Sequence, residues 1–137
     1  MFNRRTALTL ASMVLATTLA TTASAQTAAS FPTKPVQVIV PYAAGGVTDI
    51  LARIVALRLA DKWKQPVIVD NKPGAGTVIG TAAAARAPGD GHTLFITAFG
   101  FTANQVLVPN LPYDPKALAP LSMLADSYSY LYVNAAV

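Results

Sequence analysis

The stretch V-Q-V-I-V-P-Y-A-A-G-G-V-T-D, residues 36–49, decides the fold of this chain. Val36–Val40 is an almost continuous apolar run, which is typical of a strand buried on both faces of a parallel sheet. Two adjacent glycines follow, and then Thr48 or Asp49, either of which can cap a helix that we predict to end at Trp63. A strand, a glycine loop and a helix in this order predict an α/β fold.

The predicted helix has a wide apolar stripe at helical spacing, which indicates that it lies against a sheet. The stripe consists of Ile50, Leu51, Ile54, Val55, Leu57 and Leu59. The pattern then repeats, with predicted strands at Pro66–Asp70 and Thr93–Thr97, a helix at Val78–Arg86, and loops at Asn71–Thr77 and Ala98–Asn104. Connections of this length predict right-handed crossovers and a three-layer lobe, a parallel sheet with helices on both faces.

Four further segments complete the predicted domain organisation. Residues 26–35 are predicted to be a flexible leader, and residues 36–120 form the α/β lobe, ending in the proline-rich connector Asn110–Pro120. Leu121–Ala125 and Tyr128–Val133 are predicted to be short strands.

The first 25 residues have the pattern of a secretory signal. Arg4 and Arg5 form a positive region, Ala7–Ala20 is apolar, and Ala23-Ser24-Ala25 is a small-residue cleavage site. The apolar part is shorter than the roughly 20 residues that span a bilayer, so cleavage after Ala25 is favoured over a membrane anchor. The general secretory route and the twin-arginine route both remain open, and both predict a periplasmic product.

Composition excludes several classes of protein. The chain has 137 residues, ten Lys plus Arg, six acids that are all Asp, and no Cys, which excludes disulfides and thiolate chemistry. Without the predicted signal the net charge is +2 rather than +4. The basic residues are scattered and have no aromatic residues between them, so no nucleic-acid partner is predicted.

The glycine loops after the first two strands are predicted to form a binding site. In an open α/β sheet, ligands bind at the carboxyl ends of the strands. Gly45 and Gly46 permit a close backbone approach just before a helix, and the helix start offers unpaired N–H donors to an anion. Gly74 and Gly76 repeat this arrangement after the second strand. A tight turn that binds nothing is the alternative for either loop alone.

Nucleotide binding and catalysis are disfavoured. The spacing of Gly74, Gly76 and Gly80 is one residue too long for a dinucleotide fingerprint. The single histidine, His92, is predicted to be a turn residue, and Asp49 and Asp90 are better explained by a cap and a turn than by acid–base chemistry. No catalytic residue, metal or cofactor is therefore predicted, and binding without chemistry remains.

An ordered set of motifs resembles one known family. The motifs are F-P-T-K-P-V at 31–36, V-P-Y-x-x-G-G-x-T-D at 40–49, Q-P-V-I-V-D-N-K-P-G-A-G at 65–76, A-R-A-P-G-D-G-H-T-L at 85–94 and L-P-Y-D-P at 111–115. Together they are similar to the solute-binding proteins of tripartite tricarboxylate transporters, the Bug or TctC-like family. The resemblance implies a type II periplasmic-binding-protein-like (Venus flytrap) fold that captures a small di- or tricarboxylate and delivers it to membrane permease subunits.

The resemblance also implies the ligand-binding residues, which all lie in the three loops that follow the strands. They are Tyr42, Gly45, Gly46, Thr48, Asp49, Gly74, Ala75, Gly76, Thr97, Gly100, Thr102 and Asn104. Asp49, being an acid, would face waters, an amine or a hydroxyl of the ligand. The third loop departs from the family pattern because its glycine is shifted and Phe99 and Phe101 are inserted.

Members of the family run to about twice this length, so we expect the chain to hold the first lobe, with the second lobe largely missing after the start at residues 121–137. Such a fragment is expected to bind more weakly than a complete relative. Two other functions stay open: an α/β enzyme with catalytic residues in missing sequence, and a sensory receptor module.

Overall fold

The computed structural model describes residues 31–128 and 130–136. The predicted signal and residues 26–30 of the predicted leader lie outside them. The described elements are β1 (Val36–Val40), α1 (Val47–Trp63), β2 (Val67–Asn71), α2 (Val78–Ala85), β3 (Thr93–Phe95) and α3 (Phe99–Leu107), with one-turn 3₁₀ helices at Ala75–Thr77 and Pro115–Ala117.

The three strands form one parallel sheet in the order β2-β1-β3. Val36 pairs with Val67, and Gln37 pairs with Thr93, so the carboxyl ends of all three strands lie at the same edge. The chain runs from β1 to β2 on one side of it, and then past β1 to β3 on the other side. Crossovers between parallel strands are right-handed in nearly all proteins, and this rule places α1 and α2 on opposite faces, which agrees with the predicted α/β lobe.

The core is built around β1. Val36, Val38 and Val40 are fully buried and Ile39 is nearly so, as expected for a central parallel strand. Tyr42 and apolar residues of the flanking strands pack against this centre together with the buried Ala52 of α1.

The face of α1 that is buried differs from the predicted stripe. The helix buries Asp49, Ala52 and Ala56, whereas Ile50, Ile54 and Leu57 of the stripe are at least half exposed. Because the apolar residues of α1 are spread around the helix among charged ones, its sequence pattern does not distinguish the face that lies on the sheet. Small alanines allow the helix to approach the sheet closely, and the other half of the stripe, Leu51, Val55 and Leu59, is half-buried beside them.

Two other predictions are wrong. The segment Ala98–Asn104, predicted to be a loop, belongs mostly to α3. The segments predicted to be strands at 121–125 and 128–133 contain no strand in their described residues, because no described strand pairs with them. Phe31, in the predicted leader, packs edge to face against Trp63 and His92, so this end of the leader packs against the domain. None of the helices in the described part of the chain has the length and apolar character needed to cross a bilayer.

Candidate functional site

Three segments meet at the carboxyl ends of the strands. Loop 1 (residues 41–46) joins β1 to α1, loop 2 (residues 72–77) joins β2 to α2, and loop 3 (residues 96–98) joins β3 to α3. We call this part of the molecule the carboxyl edge. Since β1 lies between β2 and β3, the edge contains the point where the strand order reverses, the usual ligand site of open α/β sheets.

Loop 1 turns on Gly45, whose φ is +85°. Gly46 caps the amino end of α1 with extended backbone and no side-chain hydrogen bond, so the prediction that Thr48 or Asp49 caps the helix is wrong. Asp49 instead lies in the first turn and folds back, accepting a hydrogen bond of 2.8 Å from the Gly45 N–H. The amide of Gly45 is therefore occupied within the protein.

Asp49 is the centre of a buried polar network. Its carboxylate, only 2% exposed, accepts hydrogen bonds of 3.0 Å from Arg53 Nε and from Asn71 Nδ2. The Asn71 amide also donates to the carbonyl oxygen of Tyr42 at 3.1 Å. Hydrogen bonds from Arg53, Gly45 and Asn71 lower the pKa of Asp49 to about 2. Asp49 is thus ionised at neutral pH and connects loop 1 with the end of β2; its contact with a ligand stays a prediction.

Loop 2 has an uncommon backbone. Gly74, Ala75, Gly76 and Thr77 have φ values of +127°, +46°, +60° and +82°. Left-handed backbone costs an L-residue with a Cβ roughly 1–2 kcal/mol, and a β-branched residue such as Thr77 is rarely found there. Strain of this kind is often stored at functional sites. Thr77, which the sequence analysis did not single out, is the β-branched residue among these four.

The tips of loops 1 and 2 meet at Gly100 of α3. A Cβ added to Gly100 would lie 2.9 Å from Cγ2 and 3.2 Å from Oγ1 of Thr77, and 3.2 Å from the Tyr42 hydroxyl oxygen. Asn104 of α3 donates to the Gly76 carbonyl oxygen at 2.6 Å. The structure therefore brings four predicted site residues together. Tyr42 comes from loop 1, Gly76 from loop 2, and Gly100 and Asn104 from α3.

Eight of the twelve predicted site residues are outside this cluster, and two of them, Thr97 and Thr102, make no side-chain hydrogen bond to it among the described residues. Thr97 makes only a long local hydrogen bond, 3.5 Å from its Oγ1 to the Ala98 carbonyl oxygen. Thr102 is exposed on α3. Thr77 was missed because a threonine after a glycine pair carries no pattern of its own; only its positive φ and its contact with Gly100 reveal it.

The carboxyl edge offers neutral donors. Among the described residues, the N–H groups of Ala75 and Gly76 in loop 2 and of Thr48 in the first turn of α1 have no acceptor. The nearby cations are already paired, since Lys72 Nζ lies 2.8 Å from Asp70 and Arg53 is bound to Asp49. Such a site favours an anion that accepts several hydrogen bonds.

At the opposite, amino edge of the sheet, Asp90 and His92 form a turn. Asp90 accepts hydrogen bonds from Lys34 Nζ at 2.8 Å and from the His92 N–H at 3.0 Å, and these bonds lower its pKa to about 2. Asp90 and His92 lie at the other end of the strands from the carboxyl edge, which agrees with the structural role that the sequence analysis favoured for both residues.

The fold defines an α/β domain whose carboxyl edge presents N–H groups that have no acceptor among the described residues. Comparison with known proteins identifies the family: the model of the tripartite tricarboxylate transporter family receptor, TctC, matches residues 51–137. The chain therefore belongs to this family. The predicted resemblance to Bug and TctC-like proteins is confirmed.

Individual relatives agree with this assignment. The chain is 41% identical over 108 residues to protein BugT of Bordetella pertussis, a match that covers 77% of this chain and 33% of BugT. It is similar to the solved structure of the periplasmic binding protein BugD, with a TM-score of 0.59 and 41% identity over 62% of this chain and 28% of BugD. It is also similar to MatC of Rhodopseudomonas palustris, solved with bound malate, with a TM-score of 0.58 and 38% identity over 62% of this chain and 29% of MatC. The chain spans about a third of the length of such relatives.

Proposed function

We propose that this protein is a periplasmic solute-binding protein whose carboxyl edge contributes to the capture of a small organic carboxylate. The observation that carries the proposal is the convergence of loop 1, loop 2 and α3 around Gly100, beside N–H groups that have no acceptor among the described residues. Membership of the TctC family and the malate bound to MatC support a carboxylate as the ligand.

Neutral donors are sufficient for binding of this kind. Micromolar affinity requires about 8 kcal/mol, and a hydrogen bond to a charged group contributes roughly 1.5–3 kcal/mol. Four to six such donors therefore reach that range before ordering costs are subtracted. A site without a free lysine or arginine also releases its anion readily, which suits a protein that must hand its ligand on.

The proposed partner is the membrane permease of a tripartite tricarboxylate transporter. The family description and the signal predicted for residues 1–25 support delivery of the ligand at the periplasmic face of the inner membrane. Binding without chemistry fits a site in which Asp49, the one buried carboxylate among the described residues, is held by three donors.

Calorimetric titration of the purified chain with malate, adipate and citrate tests the proposal. We expect at least one acid to bind, with lower affinity than malate has for MatC, since the chain spans a third of such relatives. The uncharged derivative of the same acid, the diamide of malate or adipate or the triamide of citrate, should not bind. Gly100→Ala, which places a Cβ 2.9 Å from Thr77, should abolish binding, whereas Gly89→Ala, with open space around it, should not. Equal binding of the acid and its uncharged derivative would contradict the proposal.

A further inference from the structure

We propose that Asn104 is a positioning residue that holds loop 2 in its left-handed conformation and thereby keeps the N–H groups of Ala75 and Gly76 available. The inference rests on the proposed function for its effect on ligand affinity, but its effect on the backbone of loop 2 stands independently. It assigns to Asn104 a role through other residues, in place of the direct ligand contact that the sequence predicts.

The hydrogen bonds of Asn104 support this role. Its Nδ2 donates to the Gly76 carbonyl oxygen at 2.6 Å and to Thr77 Oγ1 at 3.0 Å. An amide nitrogen has two hydrogens, so both are used within the protein. Asn104 is 7% exposed and comes from α3, 27 residues along the chain from Thr77. These hydrogen bonds therefore connect loop 2 to α3, whereas the chain itself joins loop 2 only to β2 and α2.

A second clamp acts on the same residue from α2. Thr81 Oγ1 donates to the Thr77 carbonyl oxygen at 2.9 Å, and Thr81 is fully buried. Thr77 is thus held at its hydroxyl by Asn104 and at its carbonyl by Thr81. Residues in a sparsely populated backbone conformation persist when their surroundings hold them there. The pair of clamps explains how a β-branched residue keeps a φ of +82°.

The role of Asn104 can be tested with one substitution that disturbs loop 2 and a second substitution that should restore it. Asn104→Ala removes the bond to Thr77, so Ala75 and Thr77 should relax towards negative φ. Thr77→Gly should restore the loop in the Asn104→Ala background, because glycine adopts positive φ without a Cβ penalty. A role of Asn104 in the packing of α3 alone predicts no rescue. Gln105→Ala is the matched control on α3, since the Gln105 side chain reaches only the Phe101 carbonyl oxygen.

Two measurements are made on each variant of the purified chain. The first is the nuclear Overhauser effect between the amide proton and Hα of Ala75, which is strong at positive φ. The second is the affinity for malate by calorimetry. In Asn104→Ala we expect the Ala75 signal to weaken and the affinity to fall about tenfold, the effect of one lost hydrogen bond to a charged ligand. The double variant should recover most of both, and Gln105→Ala should match the wild type.

An unchanged Ala75 signal in Asn104→Ala would overturn the inference, and so would failure of Thr77→Gly to restore it. If Asn104→Ala does not fold, Asn104→Asp, which keeps the shape of the side chain and loses both donors, takes its place with the same expected results. If the wild type binds none of the acids, the proposed function fails, while the Ala75 signal still decides the role of Asn104.

Discussion

Gly80 is the residue on which the contact between α2 and the sheet depends. A Cβ at this position would lie 2.7 Å from the Lys72 carbonyl oxygen and 2.7 Å from Cβ of Pro41. These neighbours are backbone and a proline ring, which cannot move aside as a flexible side chain can. The third glycine of the Gly74–Gly80 spacing therefore serves close packing of α2 against the residues that directly follow β1 and β2, much as the last glycine of a dinucleotide fingerprint serves close packing of helix and strand.

We expect Gly80→Ala to lower the free energy of unfolding by about 1–3 kcal/mol, the usual range for overpacking. Urea unfolding followed by circular dichroism measures it. Gly89→Ala is the control because a Cβ there meets nothing within 4 Å. Equal stability of the two variants would show that α2 does not approach the sheet as closely as described.

The two glycines of loop 1, Gly45 and Gly46, should differ in how much stability is lost when each is replaced by alanine. Gly45 has a φ of +85°, whereas Gly46 has a φ of −75° that any residue adopts. We expect Gly45→Ala to cost roughly 1–2 kcal/mol of stability and Gly46→Ala to change it by less than about 0.5 kcal/mol. Thermal unfolding of the two variants side by side gives the difference. A larger loss in Gly46→Ala would mean that the turn does not pivot on Gly45.

At the scale of elements, α1 and α3 show what the sequence can and cannot predict. The order of strands and helices follows from apolar runs and glycine loops, and the structure has the predicted parallel sheet. The identity of α3 did not follow, because Gly100 and Thr102 are weak helix formers and favour a loop. The glycine is there for a tertiary reason, its contact with Thr77 and Tyr42, which local propensity does not contain.

The candidate site, like the fold, was predicted only in part. The position of the two glycine loops at the carboxyl ends of neighbouring strands followed from topology, and the binding role of their residues stays a prediction. The hydrogen bonds from the Gly45 N–H to Asp49 and from Asn104 to Thr77 did not follow, because they depend on where individual side-chain atoms lie in the folded structure. Sequence patterns of period two or 3.6 report which face is apolar; they contain no information about which polar atoms meet.

The orientation of α1 on the sheet yields the prediction at this scale. Ala56 is 4% exposed and Leu57 is 72% exposed, although the sequence pattern places Leu57 in the apolar stripe. We expect Ala56→Leu to lower stability by about 1–3 kcal/mol through overpacking and Leu57→Lys to change it by less than about 0.5 kcal/mol. Urea unfolding of both variants measures this. The reverse order would show that the helix is rotated and that the sequence-derived stripe is the buried face.

Among the described residues, two of the carboxylates that tie separate parts of the chain together have a lowered pKa, Asp49 at the carboxyl edge and Asp90 at the amino edge. The pKa of each is lowered from 3.8 to about 2 in the folded chain, by hydrogen bonds from Arg53 at Asp49 and from Lys34 at Asp90. A carboxyl group with a lower pKa in the folded state stabilises the fold fully above its unfolded pKa, and this stabilisation is lost as the pH falls towards the folded pKa.

We therefore expect the free energy of unfolding to fall between about pH 4 and about pH 2, the window between these pKa values. Asp49→Asn and Asp90→Asn should each make this fall shallower, and the double variant should make it shallowest, because the two groups lie at opposite edges and act independently. Asp126→Asn is the control, since no hydrogen bond to this exposed carboxylate is found among the described residues, and it should keep the wild-type slope. Urea unfolding at constant ionic strength across this range gives the slopes. If the double variant kept the wild-type slope, the acid sensitivity would arise elsewhere, and neither carboxylate would hold the edges of the sheet as the structure shows.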